Sequence, residues 1–322
     1  MLTIVMYHYV RDLKNSSYPR IKGLQLEDFD GQLDYLQRHY CFVELEQVIA
    51  ASRNRVELPP NACLLTFDDG FSDHYEYVFP RLKERGIKGA FYPPVKPVLE
   101  NTVLDVHKIH FILASAESPG GLVKDIFELL TPHRKEIDLP DDEELYRLNA
   151  GESRFDPPEI IFVKRILQVG LPEWLRNALV AELFNRHVDR DENEFARELY
   201  LSSEQLKEMV KAGMAIGVHG YSHRWFNSLT LEEQTTELDL SLLFLNDLYG
   251  KRPEDWTVCY PYGGYNEDTL RLLEERNCAL GLTARVALVE NYSTPLLLPR
   301  LDTNDLPKNG AVRANEWTLR LR

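Results

Sequence analysis

Short β-prone runs alternating with helical stretches constrain this chain more than any other feature. Residues 2–7, 62–67, 89–92, 214–218, 256–260, 278–282 and 296–298 read as strands, each a compact apolar run. Helical periodicity lies between them, over 26–40, 45–51, 73–85, 203–212, 230–249 and 266–277. Phe29, Leu33 and Leu36 share one face of the first helix, and Thr230 and Glu233 have capping-box spacing at the start of the fifth. Strands separated by helices build a mostly parallel sheet, because parallel neighbours need a crossover connection. About seven such strands predict an α/β fold, a closed, incomplete or distorted (β/α) barrel rather than an open sheet.

Between 98 and 200 the strand signals vanish, and amphipathic stretches at 106–114, 122–130, 159–169 and 174–187 dominate. The expectation is a barrel domain from 1–97 and 201–322 with a helical insertion at 98–200. The insertion is expected beside or over the barrel, where it would recognise the remote part of a substrate. Asp141-Asp142-Glu143-Glu144 reads as a solvated helix start, not a metal site.

The net charge of −14 argues against a nucleic-acid binder, which needs a basic face. Cys41, Cys63, Cys259 and Cys278 form no C-x-x-C pair and read as reduced, mostly buried thiols. Residues 2–7 are too short, and lack the basic flank, for a signal peptide, and no apolar run reaches membrane-span length. The expected location is cytoplasmic.

Reactive side chains fall at strand ends, where β/α enzymes place their sites. His8 follows the first strand, Asp68-Asp69-Gly70 the second, and His219-Gly220-Tyr221-Ser222-His223 the fourth. Successive side chains of an extended chain point to opposite sides, so two adjacent aspartates can take separate tasks. One would hold a cation while the other works beside it; the alternative is a solvated turn in which an aspartate caps the helix starting near Asp73. Two histidines four residues apart can converge, and with one carboxylate they form a ligand set for zinc or a similar divalent ion. His74, His107 and His110 offer themselves as extra ligands, but read as ordinary helix polarity or substrate contacts rather than a second metal site. Tyr221, Trp225, Tyr262 and Tyr265 suit either rim packing or stacking on a sugar ring.

Thr66-Phe67-Asp68-Asp69-Gly70, then His219-Gly220-Tyr221-Ser222-His223, then Cys259-Tyr260-Pro261-Tyr262-Gly263 resemble the ordered motifs of the NodB-type polysaccharide deacetylases of carbohydrate esterase family four. The resemblance covers residues 1–97 and 201–305. It implies a metal-dependent hydrolase that removes an N-acetyl or similar small acyl group from a carbohydrate. By this resemblance Asp69, His219 and His223 hold the metal, Asp68 is the general base, and the backbone N–H of Tyr262 faces the oxyanion. The implied cofactor is a divalent ion, zinc first, with cobalt, nickel or manganese as alternatives. The implied partner is an N-acylated carbohydrate, and the expected location favours an intracellular precursor of a surface glycan.

Three departures from the family pattern stand out. Gly220 replaces the usual Ser or Thr, Cys259 replaces an arginine that orients the catalytic aspartate, and no later histidine motif supplies an acid. In a subgroup with rearranged motif order the acid histidine comes from the N-terminal strand. Met6-Tyr7-His8 resembles that version and makes His8 the general acid, with a buried sheet-edge histidine as the alternative. Leu298-Pro299-Arg300-Leu301-Asp302 resembles a motif of the same subgroup. It offers Arg300 as the replacement arginine, or as a structural salt bridge. Two other readings remain open: a hydrolase of a non-sugar amide, and a glycan-binding module with a degenerate catalytic apparatus.

Overall fold

The computed structural model describes residues 1–153, 156–251 and 253–321, and the chain divides into two compact units. The first comprises Met1–Asp12, Gly23–Thr102 and Ala196–Arg322. Its frame is a set of parallel strands: β1 (Leu2–Tyr7), β2 (Ala62–Asp68), β3 (Gly89–Tyr92), β4 (Ala215–Ile216), β5 (Trp256–Cys259), β6 (Cys278–Leu282) and β7 (Leu301–Asp302). The main sheet runs β7-β1-β2-β3-β4, and β5 pairs separately with β6. Single parallel bridges, Val218 to Val258 and Leu282 to Leu298, connect the two groups. The fold is therefore an incomplete, distorted (β/α) barrel whose ladder thins to one bridge at two places.

Strand alternation sorts the side chains into two layers. Leu2, Ile4, Ala62, Leu64, Ala90, Leu280, Leu282 and Leu298 pack together in one cluster, the barrel interior. Val5, Tyr7, Leu65, Phe67, Phe91, Ile216 and Val258 face the other way, onto Phe29, Leu33, Leu36, Leu82, Leu206 and Leu245 of the surrounding helices. All seven residues of β2 are buried, as expected for a central parallel strand covered on both faces. In register, Tyr7 pairs with Phe67 and Phe67 with Phe91. Their rings stack at 5.0 and 4.7 Å, forming an aromatic ladder that aligns the carboxyl ends of β1, β2 and β3.

Three local expectations need correction. Residues 296–298 are not a strand: Pro295–Leu297 is a 3₁₀ turn, and pairing with β1 begins at Leu301. Pro295 and Pro299 flank the run, and neither has an N–H to give a ladder. The fourth strand keeps only Ala215–Ile216 plus the bridge at Val218. Between them, a Cβ at Gly217 would stand 2.3 Å from the Tyr92 ring, so only glycine fits there. The helix expected over 73–85 opens as a π-helical turn, His74–Val78, before Phe79–Glu84 continues as α-helix.

The second unit comprises Leu13–Lys22 and Val103–Phe195, and among its described residues there is no strand. Its helices include Asp105–Ser115, Pro119–Leu130, Asp142–Asn149, Pro158–Gln168 and Glu173–His187. Phe111, Ile126, Phe162, Val163, Leu179 and Leu183 are buried in it. It differs from the expected 98–200 at both ends, and it recruits residues 13–22. The recruitment has a packing cause: Tyr18 meets Phe111 and Phe195 edge-on, and Arg20 donates to the Ala114 carbonyl at 2.8 Å. At the return, Leu201 N–H bonds the Gly70 carbonyl at 2.9 Å, which ties that segment to the barrel unit. Among the described residues no helix is long and apolar enough to cross a membrane, and all four cysteines are free thiols.

Candidate active site

Alternation carries polar side chains into the barrel interior at its carboxyl end. Thr66 and Asp68 continue the inward series of Ala62 and Leu64, and His8 continues that of Leu2 and Ile4. Cys259 and Leu298 belong to the same interior cluster, with Arg300 two residues beyond Leu298. Arg300 grips Asp68 with both terminal nitrogens, Nη1 to Oδ1 at 2.9 Å and Nη2 to Oδ2 at 2.7 Å. It also donates to Thr66 Oγ1, to the Thr283 carbonyl and to Cys259 Sγ. Cys259 Sγ in turn donates to Asp68 Oδ2 at 3.2 Å. Burial pushes the Asp68 carboxyl up, but the charge and hydrogen bonds of Arg300, with smaller help from His219 and His8, bring it down to about 2. Arg300 thus sits where it meets the aspartate, while Cys259 fills the space beside it with a thiol. His8 Nε2 lies 3.9 Å from Asp68 Oδ2, and its side chain is 41% exposed, so it opens to solvent at the strand ends.

The two aspartates diverge for a reason that strand alternation does not supply. β2 ends at Asp68, and Asp69 has a left-handed backbone, φ 73°, followed by Gly70 at φ 65°. This turn aims Asp69 at the histidine loop. Asp69 Oδ1 is 3.4 Å from His219 Nε2 and 3.2 Å from His223 Nε2. One ligand atom from each of the three residues lies within 4.8 Å of the others, and all three residues are buried. His219 Nδ1 lies 2.7 Å from the Cys259 carbonyl, which can only accept. Nδ1 therefore carries a proton, which leaves Nε2 as the nitrogen turned toward Asp69, free to exchange a proton for a cation, the orientation a metal-ligating histidine requires. Burial opposes a positive charge on His219, yet Cys259, Asp69 and Asp68 outweigh it and hold its pKa well above the ordinary value. The pocket is built to favour a cation, and its nitrogen and oxygen donors fit a divalent one. Asp68, His219 and Cys259 also lie close enough to form a ligand group. The Arg300 guanidinium already occupies that side, and a second cation against it would be repelled.

A family model described as polysaccharide deacetylase matches residues 180–280, which contain both histidines and Cys259-Tyr260-Pro261-Tyr262-Gly263. "Putative polysaccharide deacetylase YxkH" of Bacillus subtilis is 32% identical over 84 residues, 26% of this chain and 29% of that protein. The peptidoglycan deacetylase of Helicobacter pylori is 29% identical over 115 residues, 36% of this chain and 37% of that one. The aligned parts thus span well under half of either curated relative. Among solved structures, the Streptococcus pyogenes deacetylase PplD in complex with acetate shares the fold. Its TM-score is 0.58 at 19% identity, covering 96% of this chain and 95% of that one. Residues 180–280 thus match the polysaccharide deacetylase family, and the chain as a whole shares the fold of a solved deacetylase.

The departures from the family pattern have local structural causes. Gly220 has φ 72°, and a Cβ there would stand 3.2 Å from Glu237 Oε2. Glu237 is what shapes the histidine loop: it accepts from the N–H groups of Tyr221 and Ser222, both at 2.8 Å, and from the Ser222 hydroxyl. The sequence reading missed it. Its signal was a buried carboxylate on the apolar stripe of the helix Leu231–Tyr249, beside Leu238 and Ser241. At the start of the π-helical turn His74–Val78, Asp73 makes no side-chain cap bond; Arg11 pairs with it through two hydrogen bonds, at 2.7 and 3.0 Å, in a buried contact. His74 is no ligand in this geometry. It is fully buried, with Nε2 2.8 Å from the His8 carbonyl, and so steadies the backbone of His8. His107 and His110 fall in the second unit, with rings 5.8 Å apart.

Tyr262 has φ 55° and ψ 12°, a conformation that costs a non-glycine residue energy. Among the described residues, eight other than glycine have positive φ, and only His223 and Tyr262 are neither Asn nor Asp. The least tolerated strain therefore collects at this site. The Tyr262 ring lies 4.9 Å from that of His223 and 4.8 Å from that of Trp225, forming an aromatic wall beside the ligand cluster.

Proposed function

We propose that this chain is a divalent-metal-dependent N-deacetylase that hydrolyses the N-acetyl, or a similar small acyl, amide of a carbohydrate. The observation that carries the reading is the buried meeting of Asp69, His219 and His223 beside an aspartate held ionised by Arg300. Asp69, His219 and His223 would hold the cation, with zinc the first choice for such a donor set. When bound, it would supply Lewis-acid polarisation of the amide and raise the acidity of the attacking water.

The protein's own groups do the rest. Asp68 accepts the proton of the attacking water, and Arg300 keeps it ionised and correctly turned. The N–H of Tyr262 donates to the oxygen of the amide as charge develops on it, which the left-handed backbone at that residue pre-sets. His8, on the open side of Asp68, delivers a proton to the departing nitrogen. The Tyr262 and Trp225 rings offer faces for a sugar. Four free thiols support a reducing compartment, hence an intracellular glycan precursor as substrate.

Metal content and acetate release, measured on the same preparation across N-acetylated sugars and sugar nucleotides with zinc or cobalt present, test this. One bound ion per chain with acetate released supports it. One bound ion without acetate from any sugar would instead favour a binding module or a non-sugar amidase.

A further inference from the structure

Beside the ligand cluster lies a cavity that amide hydrolysis leaves unused. It encloses ≈ 480 Å³ and is lined by Tyr262, Tyr265, Thr283, Arg285 and Thr294, with small and apolar residues completing it. Tyr262 belongs to both places, since its ring also contacts that of His223. Whatever occupies the cavity therefore lies one side chain away from the reacting amide.

The charge of this lining is unusual for the chain. The sequence holds 51 Asp and Glu against 37 Lys and Arg, yet no carboxylate lines the cavity and one guanidinium does. Arg285 is exposed, and among the described residues no Asp or Glu stands within ion-pair distance of it. Eight of the fourteen described arginines of the barrel unit behave otherwise, among them Arg11, Arg53, Arg81, Arg85, Arg224 and Arg276, each of which faces a carboxylate. The backbone of Arg285 is nevertheless fixed. Its carbonyl accepts from the Arg300 N–H at 3.0 Å, and its N–H donates to Thr283 Oγ1 at 3.3 Å. The residue that offers the free guanidinium is thus hydrogen-bonded to the residue that holds Asp68. A guanidinium presents a planar fork of donors matched to phosphate or carboxylate, and an aromatic face covers the flat side of a sugar.

We infer that this cavity is an anion subsite, and that the substrate is an N-acyl sugar carrying a phosphate or carboxylate group. The sugar lies against Tyr262 and Tyr265 and the anion pairs with Arg285. This rests on the deacetylase reading and narrows its substrate class.

The test compares kcat/KM for N-acetylglucosamine, N-acetylglucosamine 6-phosphate and N-acetylmuramic acid in the wild type, R285Q and R285K. The wild type should favour at least one charged sugar over the neutral one by about tenfold or more, the range for a charge-assisted hydrogen bond. The two charged sugars tell phosphate from carboxylate. In R285Q the charged-to-neutral ratio should fall to about one, with R285K between. The ratio cancels damage to folding or cation loading, which affects all three sugars alike. A wild-type ratio near one for both charged sugars, or a raised ratio that R285Q leaves intact, overturns the subsite. If no sugar releases acetate, the deacetylase reading has failed, and calorimetric binding of the same three sugars decides the subsite alone. Tighter binding of a charged sugar that is lost in R285Q would uphold it, and equal binding of all three would overturn it.

Discussion

Replacing Arg300 by methionine should separate the stability of the site from its chemistry. Asp68 is 1% exposed and Arg300 2%, so water compensates neither charge. Removing one partner of a buried pair while the other stays ionised costs about 3–5 kcal/mol. At 1.36 kcal/mol per unit, that is about 2–4 pKa units, enough to lift the Asp68 carboxyl into the region of about pH 4–6. In the native protein burial raises this carboxyl and Arg300 overcomes the effect, leaving it at about 2. An unfolded aspartate titrates at about 3.9, so the native carboxylate contributes about 2.6 kcal/mol above that pH, lost as pH falls through about 2. In the variant the folded value exceeds the unfolded one and the sign reverses. Its stability should be lowest near pH 8 and recover as pH falls toward about 5. Thermal melts from pH 3 to 8 in chelator, beside a pH–rate profile of the cation-loaded enzyme, read both effects. The melting temperature should drop by several degrees at pH 8, with the deficit narrowing at pH 5. The acid limb of kcat/KM should move up into about pH 4–6. A wild-type melting temperature at pH 8, or an unmoved acid limb in an active variant, would show that Arg300 does not hold Asp68 ionised.

Asp68→Asn should retain one cation per chain while losing about 10²- to 10⁴-fold in kcat, because only Asp69 faces the histidines; loss of the metal would mean the two aspartates have exchanged roles. His8→Ala should slow release of an alkyl amine far more than release of an activated anilide, which needs less protonation, and equal loss on both would move the acid elsewhere. Burial holds the His74 imidazole down at about 4 against an unfolded value of about 6.5, so the unfolded chain gains a proton first and stability falls as pH drops between these values, by about 3.4 kcal/mol in total. His74→Gln should flatten that part of the stability–pH curve, and an unchanged slope there would assign the titration to another group.

Legibility followed chemical locality. Strands β2, β3 and β6 could be placed within a residue because each is a contiguous apolar run whose neighbours break it. The run at 296–298 misled because its apolar residues serve a proline-bounded turn that still packs into the barrel interior. Adjacent aspartates and paired histidines could be singled out for metal chemistry, but the argument from strand alternation was the wrong cause: a left-handed Asp69 turns the second carboxylate. Glu237 was missed, and His74 was given no structural role, because a lone polar residue inside a helix does not name its partner. Its partner, the Tyr221–Ser222 backbone or the His8 carbonyl, lies on another element.

The sequence by itself determined the α/β alternation, the helical character of the middle of the chain and the identity of the reactive groups. Those depend on side-chain periodicity and on short motifs, both readable without a partner in space. Only the tertiary structure decided what each group faces. Cys259 stands where the family pattern has an arginine, and the sequence could offer Arg300, 41 positions later, only as a candidate for that work. Parallel pairing sets β7 beside β1 and β1 beside β2, which brings Arg300 onto Asp68 across a separation of 232 residues. The same pairing joins residues 1–12 to the C-terminal segment, and the packing of Tyr18 on Phe111 and Phe195 draws 13–22 into the helical unit. Buried charge pairs and aromatic contacts act over a few ångströms of space, whatever their distance along the chain, so their choice of partner waits for the fold.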